Sequence, residues 1–569
     1  METQFITEEE DPEITLVLEP SDSEQDSVVS ENEEDTNTED DVLDSESTEH
    51  SSDESSEDRT ENGEYMEEKE DPGWKSRNGQ IVWSPSHAET LRYFPATALT
   101  PGPTRYAIAR ISNVKSCFDL LITEEITQLL VDMTNLQGRR TVKDWKDVDA
   151  TDLQAYMGLL ILAGVHRSRN ESTHSLWDDH TGRAIFRATM SHCKFRLLSS
   201  CLRFDDRMTR PERNKKDKLA AFRTIWEKWT RRLPLLFNPG RDVCVDEQLV
   251  PFKGSCRFRQ YMPQKQAKYG LKIWVTCDVK TSYAWKMQIY TGKSDGGAPE
   301  VDQGKRVVLE MTEGLKGSTV TCDNFFTSYE LAEELLKRKI ALVGTVRKTK
   351  TELPPQLLQT RQRAPLSSLF AFTRTHTVVS YVPKRGKIVL LLSTKHREPA
   401  VSDTEKKKPT IFTDYNRCKG GVDNMDKLVS IYSCRRKTCR WPMVLFYNML
   451  DVSAHNAFVL WTSVDSSWNQ AKKFRRRLFL DELGKMLVSP QMARRQRLPH
   501  TPAAAAMVAR LRQQDTDPDP DSDNNPKKRR LCELCTGKRK KTATTCIKCG
   551  KCACKDHTSF ICSTCYKLK

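Results

Sequence analysis

The sequence predicts an α/β protein with helical flanks and a small metal-stapled module at its end. Three observations carry this. Between residues 242 and 346, DVCVDEQLVPF, KIWVTCDV, WKMQIYTG and STVTCDN read as four turn-punctuated strands, followed by a helix at 329–339 and a fifth strand at 340–346. On either side, apolar residues recur with helical spacing. The third observation is that eight of the 18 cysteines fall in the last 38 residues.

The chain opens on an acidic segment. Residues 1–70 hold 29 acidic residues against Arg59 and Lys69, a charge of −27, so the other 499 residues stand at +39. Residues 1–75 are Ser- and Thr-rich and too poor in apolar side chains to bury a core, so disorder is expected there, and 1–92 is assigned as a disordered acidic N-terminal region. The opposite charge of the body points to a polyanionic partner, and long double-stranded DNA fits best. The start METQFITEEED has no apolar signal core, and AYMGLLILAGV (155–165) is too short to span a bilayer, so no membrane association is expected.

The globular body begins near Phe94. Ile126, Leu129, Leu130 and Met133 keep helical spacing behind a Thr123 N-cap, and further helices are expected at 151–165, 194–203 and 219–232. The helical block 93–241 therefore precedes the strand-rich core, 242–349. Residues 350–409 hold Pro-rich and basic loops and two hairpin-like runs, HTVVSYVP and KIVLLLST, and read as a mostly β insertion. Gly421 leads into a helix within 410–432, which returns to the core. Helices continue through 433–512, and 513–528 is a linker before the cysteine module, 529–569. Three strands, a fourth, a helix and a fifth is the order expected of an RNase H-like core.

Three aspartates stand at the ends of these elements: Asp246 in VDEQLVPFKG, Asp323 in VTCDNFFTS and Asp423 in KGGVDNMDKL. Neighbouring strand ends hold two carboxylates close together, and a helix across the sheet adds a third. Three converging carboxylates make a hard, all-oxygen site suited to two Mg²⁺ or Mn²⁺ ions about 4 Å apart. Asp426 lies at i+3 from Asp423, on the same helical face. Glu247 is set aside, since alternation turns it away from Asp246. Read singly, Asp323 also suits a turn and Asp423 a helix cap.

The tail reads Cys532-x2-Cys535-x10-Cys546-x2-Cys549-x4-Cys554-x2-His557-x4-Cys562-x2-Cys565. Seven thiols and one imidazole suffice for two tetrahedral Zn²⁺ ions, which such a short module needs to fold. Cys552 stands outside the series, though Cys549-x2-Cys552 is also a workable pair. Flanking KKRR (527–530) and KRKK (538–541) fit a nuclear address or phosphate contacts. Cationic candidates for DNA contact are Lys265, Lys268 and Lys272 between the first two strands, and Arg435, Arg436, Lys437 and Arg440 beside Trp441. Trp441 suits either base stacking or core packing. Lys472, Lys473 and Arg475–Arg477 form another basic patch.

These segments, with QYMPQKQAKYGLKIW, RKTCRWPM and the cysteine-rich tail, resemble the piggyBac transposases and their host-domesticated descendants, from about Tyr93 to the C-terminus. The resemblance implies an RNase H-like catalytic core whose Asp246, Asp323 and Asp423 bind the catalytic ions, with Asp426 matching a further family acid. It implies that the helical blocks form a dimerisation and DNA-binding domain. The tail becomes a cross-brace, with Cys532, Cys535, Cys554 and His557 on one zinc and Cys546, Cys549, Cys562 and Cys565 on the other. The implied activity is cut-and-paste transposition at terminal inverted repeats and TTAA targets, by a nuclear homodimer. The alternative is a domesticated DNA- or chromatin-binding protein that mobilises nothing.

Overall fold

The computed structural model describes residues 73–86, 99–292, 300–515, 530–536, 540–542, 544 and 551–558. Most of the acidic N-terminal segment, the 516–529 stretch and four of the eight expected zinc ligands lie outside these residues.

The first helical block contains α1 (Glu124–Thr141), α2 (Ala150–Val165), α3 (His192–Cys201) and α4 (Arg223–Thr230). Thr123 caps α1 by accepting from the Ile126 N–H, and Asp149 with Asp152 forms a reciprocal capping box on α2. The helix expected at 219–232 starts only at Arg223, because residues 218–222 form a turn.

The central sheet is built from β1 (Asp242–Pro251), β2 (Tyr269–Asp278), β3 (Ala284–Ile289), β4 (Thr319–Cys322) and β5 (Ala341–Thr345). β1 runs antiparallel to β2, which pairs antiparallel with β3, while β4 lies parallel to both β1 and β5. The spatial order is 3-2-1-4-5, the RNase H-like arrangement. Helix α5 (Gln303–Met311), which no sequence signal singled out, and α6 (Tyr329–Lys337) provide the crossovers before β4 and β5.

Residues 350–409 supply the β-rich insertion expected of them. Their strands β6 (Ser368–Phe372), β7 (Thr377–Lys384) and β8 (Lys387–Ser393) extend the same sheet, with β8 antiparallel to β5. Alternation explains the fusion: Val378, Leu390 and Leu392 join the main core, whereas Val379, Tyr381 and Leu391 enter a second core under Ile411 and Phe412. The expectation that the whole of 1–92 is disordered is corrected. Trp74–Lys75 pairs with Val82–Trp83, and Ser84 bridges to Phe372. Trp83 is fully buried, its indole N–H donates to the Glu352 carbonyl, and Arg77 donates to the carbonyls of Lys348 and Lys350. Two tryptophans give this stretch the apolar area that the acidic residues before it lack.

Helices α7 (Thr410–Cys418), α8 (Gly421–Ile431), α9 (Trp441–Val464), α10 (Arg475–Ala493) and α11 (Pro502–Asp515) complete the body. α10 packs on α2 at two glycines. A Cβ on Gly158 would stand 2.8 Å from Leu487 Cβ, and one on Gly484 would stand 2.6 Å from Leu162 Cγ. This contact joins the helical regions before and after the sheet. Among the described residues, no helix is long and apolar enough to cross a membrane.

Candidate active site and metal centre

The parallel register of β1 and β4 pairs Val245 with Cys322, so Asp246, midway along β1, stands beside the point where Asp323 follows the end of β4. β4 stops at Cys322. Asp323 then opens a tight turn: its carboxylate accepts the Phe325 N–H at 2.9 Å and its carbonyl accepts the Thr327 hydroxyl at 2.8 Å. The turn role and the site position therefore coincide in one residue. Helix α8 rests directly on β1, where a Cβ on Gly421 would meet Cys244 Cβ at 2.8 Å. That close approach brings Asp423 and Asp426 over the strand carrying Asp246. Asp423 remains largely exposed and lies 3.6 Å from the Lys265 ammonium, which also donates to the Glu247 carbonyl at 3.3 Å. Asp426 accepts from the Gln248 amide at 2.8 Å.

Burial raises the Asp246 carboxyl well above the usual carboxylate range, and the charges of Glu247 and Asp323 raise it further. Burial and Glu247 likewise raise Asp323, and burial raises Asp426. Burial works against the Lys265 ammonium, yet Asp246, Asp423, Glu247 and Asp426 together hold its pKa above the ordinary value. The cluster is thus an oxygen-only donor set with more negative charge than one lysine neutralises. Among the described residues no three carboxylates converge within 4.8 Å of one another.

Glu247, which alternation turns away from Asp246, pairs across the sheet with Trp274 and sits 3.8 Å from Lys272, and its charge adds to the effect of burial on both Asp246 and Asp323.

The candidate cations divide into two groups. Lys265 reaches the acids. Lys268 is exposed in a left-handed turn at φ 51°, and Lys437 is exposed. Lys272 is instead partly enclosed, 3.9 Å above the Trp274 ring. Arg435 donates to the Pro251 carbonyl, Arg436 to Ser168 and Glu171, and Arg440 to Ser199, Ser200 and Leu202 at the end of α3. Trp441 packs edge-on against Phe258. In the second patch Arg475 and Arg476 also bind carbonyls, while Lys472, Lys473 and Arg477 are exposed. Arg440→Ala should therefore lower folding stability by about 2 kcal/mol, because it strands carbonyls at a helix end. Lys437→Glu should leave stability unchanged but reduce the salt slope of DNA binding by about one. Thermal unfolding and salt-dependent titration check the contrast.

Asp451 in α9 pins the turn after α8. Its carboxylate accepts the Ser433 hydroxyl at 2.6 Å and the Cys434 N–H at 2.8 Å. Burial pushes its pKa up to about 6 from 3.8. A carboxyl raised on folding favours the folded state while protonated, so its contribution is fully present below pH 3.8 and is lost as pH rises towards 6. The loss is on the order of 3 kcal/mol. Asp451→Asn should flatten the stability profile across that window, as read by denaturant titrations at several pH values.

At the C-terminus, Cys532, Cys535, Cys554 and His557 bring their ligand atoms within 4.8 Å of one another. Cys535 Sγ lies 3.8 Å from Cys554 Sγ and 3.7 Å from His557 Nδ1. Bonds of about 2.3 Å to a tetrahedral ion set ligand–ligand edges near 3.8 Å, so the donors fit zinc. Cys552 is buried outside this quartet, its backbone bonded to Glu533. Cys546, Cys549, Cys562 and Cys565 lie outside the described residues.

A 3-2-1-4-5 sheet with clustered acids on β1, β4 and a helix laid across β1 defines a protein of the nuclease and transposase class. The family signature described as transposase IS4 matches residues 114–458. The chain belongs to this family and to its piggyBac-type members. It is 22% identical over 384 residues to human PiggyBac transposable element-derived protein 3, covering 63% of each chain. It is 23% identical over 374 residues to human PiggyBac transposable element-derived protein 2, covering 60% of each. The match thus spans less than two thirds of these curated relatives. A piggyBac transposase, solved by cryo-EM in a synaptic complex with hairpin DNA, superposes with a TM-score of 0.68 at 33% identity, over 82% of this chain and 100% of that one.

Proposed function

We propose that this protein is a piggyBac-type DNA transposase, or a domesticated derivative retaining its chemistry, that cuts and joins DNA at terminal inverted repeats with TTAA targets. The observation that carries this reading is the juxtaposition of Asp246, inside β1, with Asp323, just past the end of β4, beside the Asp423 helix. Asp246, Asp323 and Asp423 would hold two Mg²⁺ or Mn²⁺ ions, with Asp426 beside them. When bound, the ions activate a water or 3′-hydroxyl and stabilise the leaving oxygen of a phosphodiester. Burial and then mutual repulsion oppose the charges of Asp246 and Asp323, and a bound divalent cation would relieve both. Lys265, at the mouth of the cluster, exchanges its carboxylate partners for a DNA phosphate as the strand enters. The exposed Lys268 and Lys437 hold the flanking backbone. The C-terminal quartet binds a structural zinc that orders a second DNA contact. The protein acts as a nuclear homodimer, since two ends must be joined.

The test incubates purified protein with a duplex ending in a family-type inverted repeat flanked by TTAA, with Mg²⁺, with Mn²⁺ or with chelator. Metal-dependent nicking at the repeat end is expected. Tight DNA binding without cleavage would favour a domesticated DNA-binding protein, the alternative suggested by the relatives' names. Neither binding nor cleavage would end both readings.

A further inference from the structure

Asp426 is held by a buried pair of amides from two other elements. Gln248 on β1 is 2% exposed and Asn448 on α9 is 6% exposed. The Gln248 Nε2 group donates to Asp426 Oδ1 at 2.8 Å and to Asn448 Oδ1 at 3.2 Å. In return, Asn448 Nδ2 donates to Gln248 Oε1 at 3.1 Å. Strand β1, helix α8 and helix α9 thus meet at one hydrogen-bonded point.

The two N–H bonds of the Gln248 amide are spent on one carboxylate oxygen and one amide oxygen. Its own carbonyl is occupied by Asn448, so the group has no freedom to turn over without losing bonds in a buried setting. The carboxylate on the other side is fixed through Oδ1, which leaves Oδ2 without a bond to this pair. Asp423, one turn earlier on α8, has no comparable restraint: its side chain is 69% exposed and its charge partner is the mobile-ended Lys265 at 3.6 Å. Two acids on one helix are therefore prepared differently.

We propose that Gln248 and Asn448 are positioning residues that pre-set Asp426 as a ligand for a divalent cation. They would turn Oδ2 towards the cluster, while Asp423 closes onto the ion only when it arrives. This inference rests on the metal-dependent reading above and adds a role to residues that touch neither ion nor DNA. A glutamate at position 248 would set a second carboxylate against Asp426 Oδ1 in place of a donor. A leucine would leave both Asp426 and Asn448 without their buried partner.

The test measures Mn²⁺ binding to the full-length protein by electron paramagnetic resonance titration, without DNA or turnover. Outer partners of metal ligands typically set affinity by about 10- to 100-fold. Gln248→Glu and the paired Gln248→Met/Asn448→Leu variant should each weaken Mn²⁺ binding within that range, and the paired variant should keep a cooperative thermal transition, because removing both amides together leaves only Asp426 without its partner. Asp426→Asn should weaken binding similarly, and adding it to the paired variant should cause little further loss. If the folded paired variant binds Mn²⁺ as wild type does, or if its loss adds fully to that of Asp426→Asn, the positioning role is wrong. If wild type itself binds no Mn²⁺, the metal-dependent function fails first, and that outcome is distinguishable from the others.

Discussion

Replacing Asp246 by asparagine should abolish divalent-dependent strand cleavage, by on the order of 10³-fold or more, while leaving DNA affinity and the fold intact. Groups acting as one unit lose most of their activity when one member is removed. Burial, Glu247 and Asp323 all oppose the charge of Asp246. The amide keeps the shape but cannot supply the anionic oxygen. It also removes that repulsion, so the variant should unfold at a higher temperature than wild type in chelator. Loss of activity with a gain in stability is the signature of a strained functional group, rather than of a structural one. Cleavage assays and thermal unfolding on the same preparation decide it, and a fully active Asp246→Asn protein would remove the residue from the site. Asp323→Asn should lose activity equally but gain less stability, because its carboxylate also accepts the Phe325 N–H.

The second large effect is expected at the other end of the chain. Stripping zinc with a strong chelator, or substituting Cys535→Ser, should unfold the C-terminal module while the sheet and helical body keep their thermal transition. Zinc supplies roughly 10–16 kcal/mol to modules of this size, far more than their own core provides. The described part holds little apolar area besides Cys532, Cys552, Ala553 and Cys554. Limited proteolysis should cut within 530–569 only in the metal-free protein, and zinc release should be measurable with a colorimetric chelator. A module that resists protease after complete metal removal would contradict the structural role. Affinity for inverted-repeat DNA should fall with the module, whereas Asp246→Asn leaves it unchanged, so the two lesions separate binding from chemistry.

Much of this was legible in the chain. The alternation of Val243 and Val245 placed Asp246 on a strand, the STVTC run placed Asp323 at a strand end, and the CxxC spacings identified the metal module. These are local signals: a strand's period, a turn's residue type and a ligand pair on one turn are properties of neighbours in sequence. The N-terminal hairpin was lost because Trp74 and Trp83 sit beside a long acidic run whose composition dominated the reading. That the 350–409 strands extend the core sheet was not legible, because pairing between β5 and β8 is a long-range choice that no local pattern encodes.

The basic residues show the same division. RRKTCR reads as a DNA-binding cluster because sequence reports charge and not its partner. Tertiary structure gives Arg436 and Arg440 to carbonyls of the first helical block and leaves Lys437 in solvent. It likewise adds the charge of Glu247 to the effect of burial on two acids. Sequence by itself determined which elements form, which residue types carry the chemistry and which family the motifs resemble. Only the packed structure decided which of those side chains share a volume, because burial and proximity, which set a carboxylate's charge and an arginine's partner, arise between segments hundreds of residues apart.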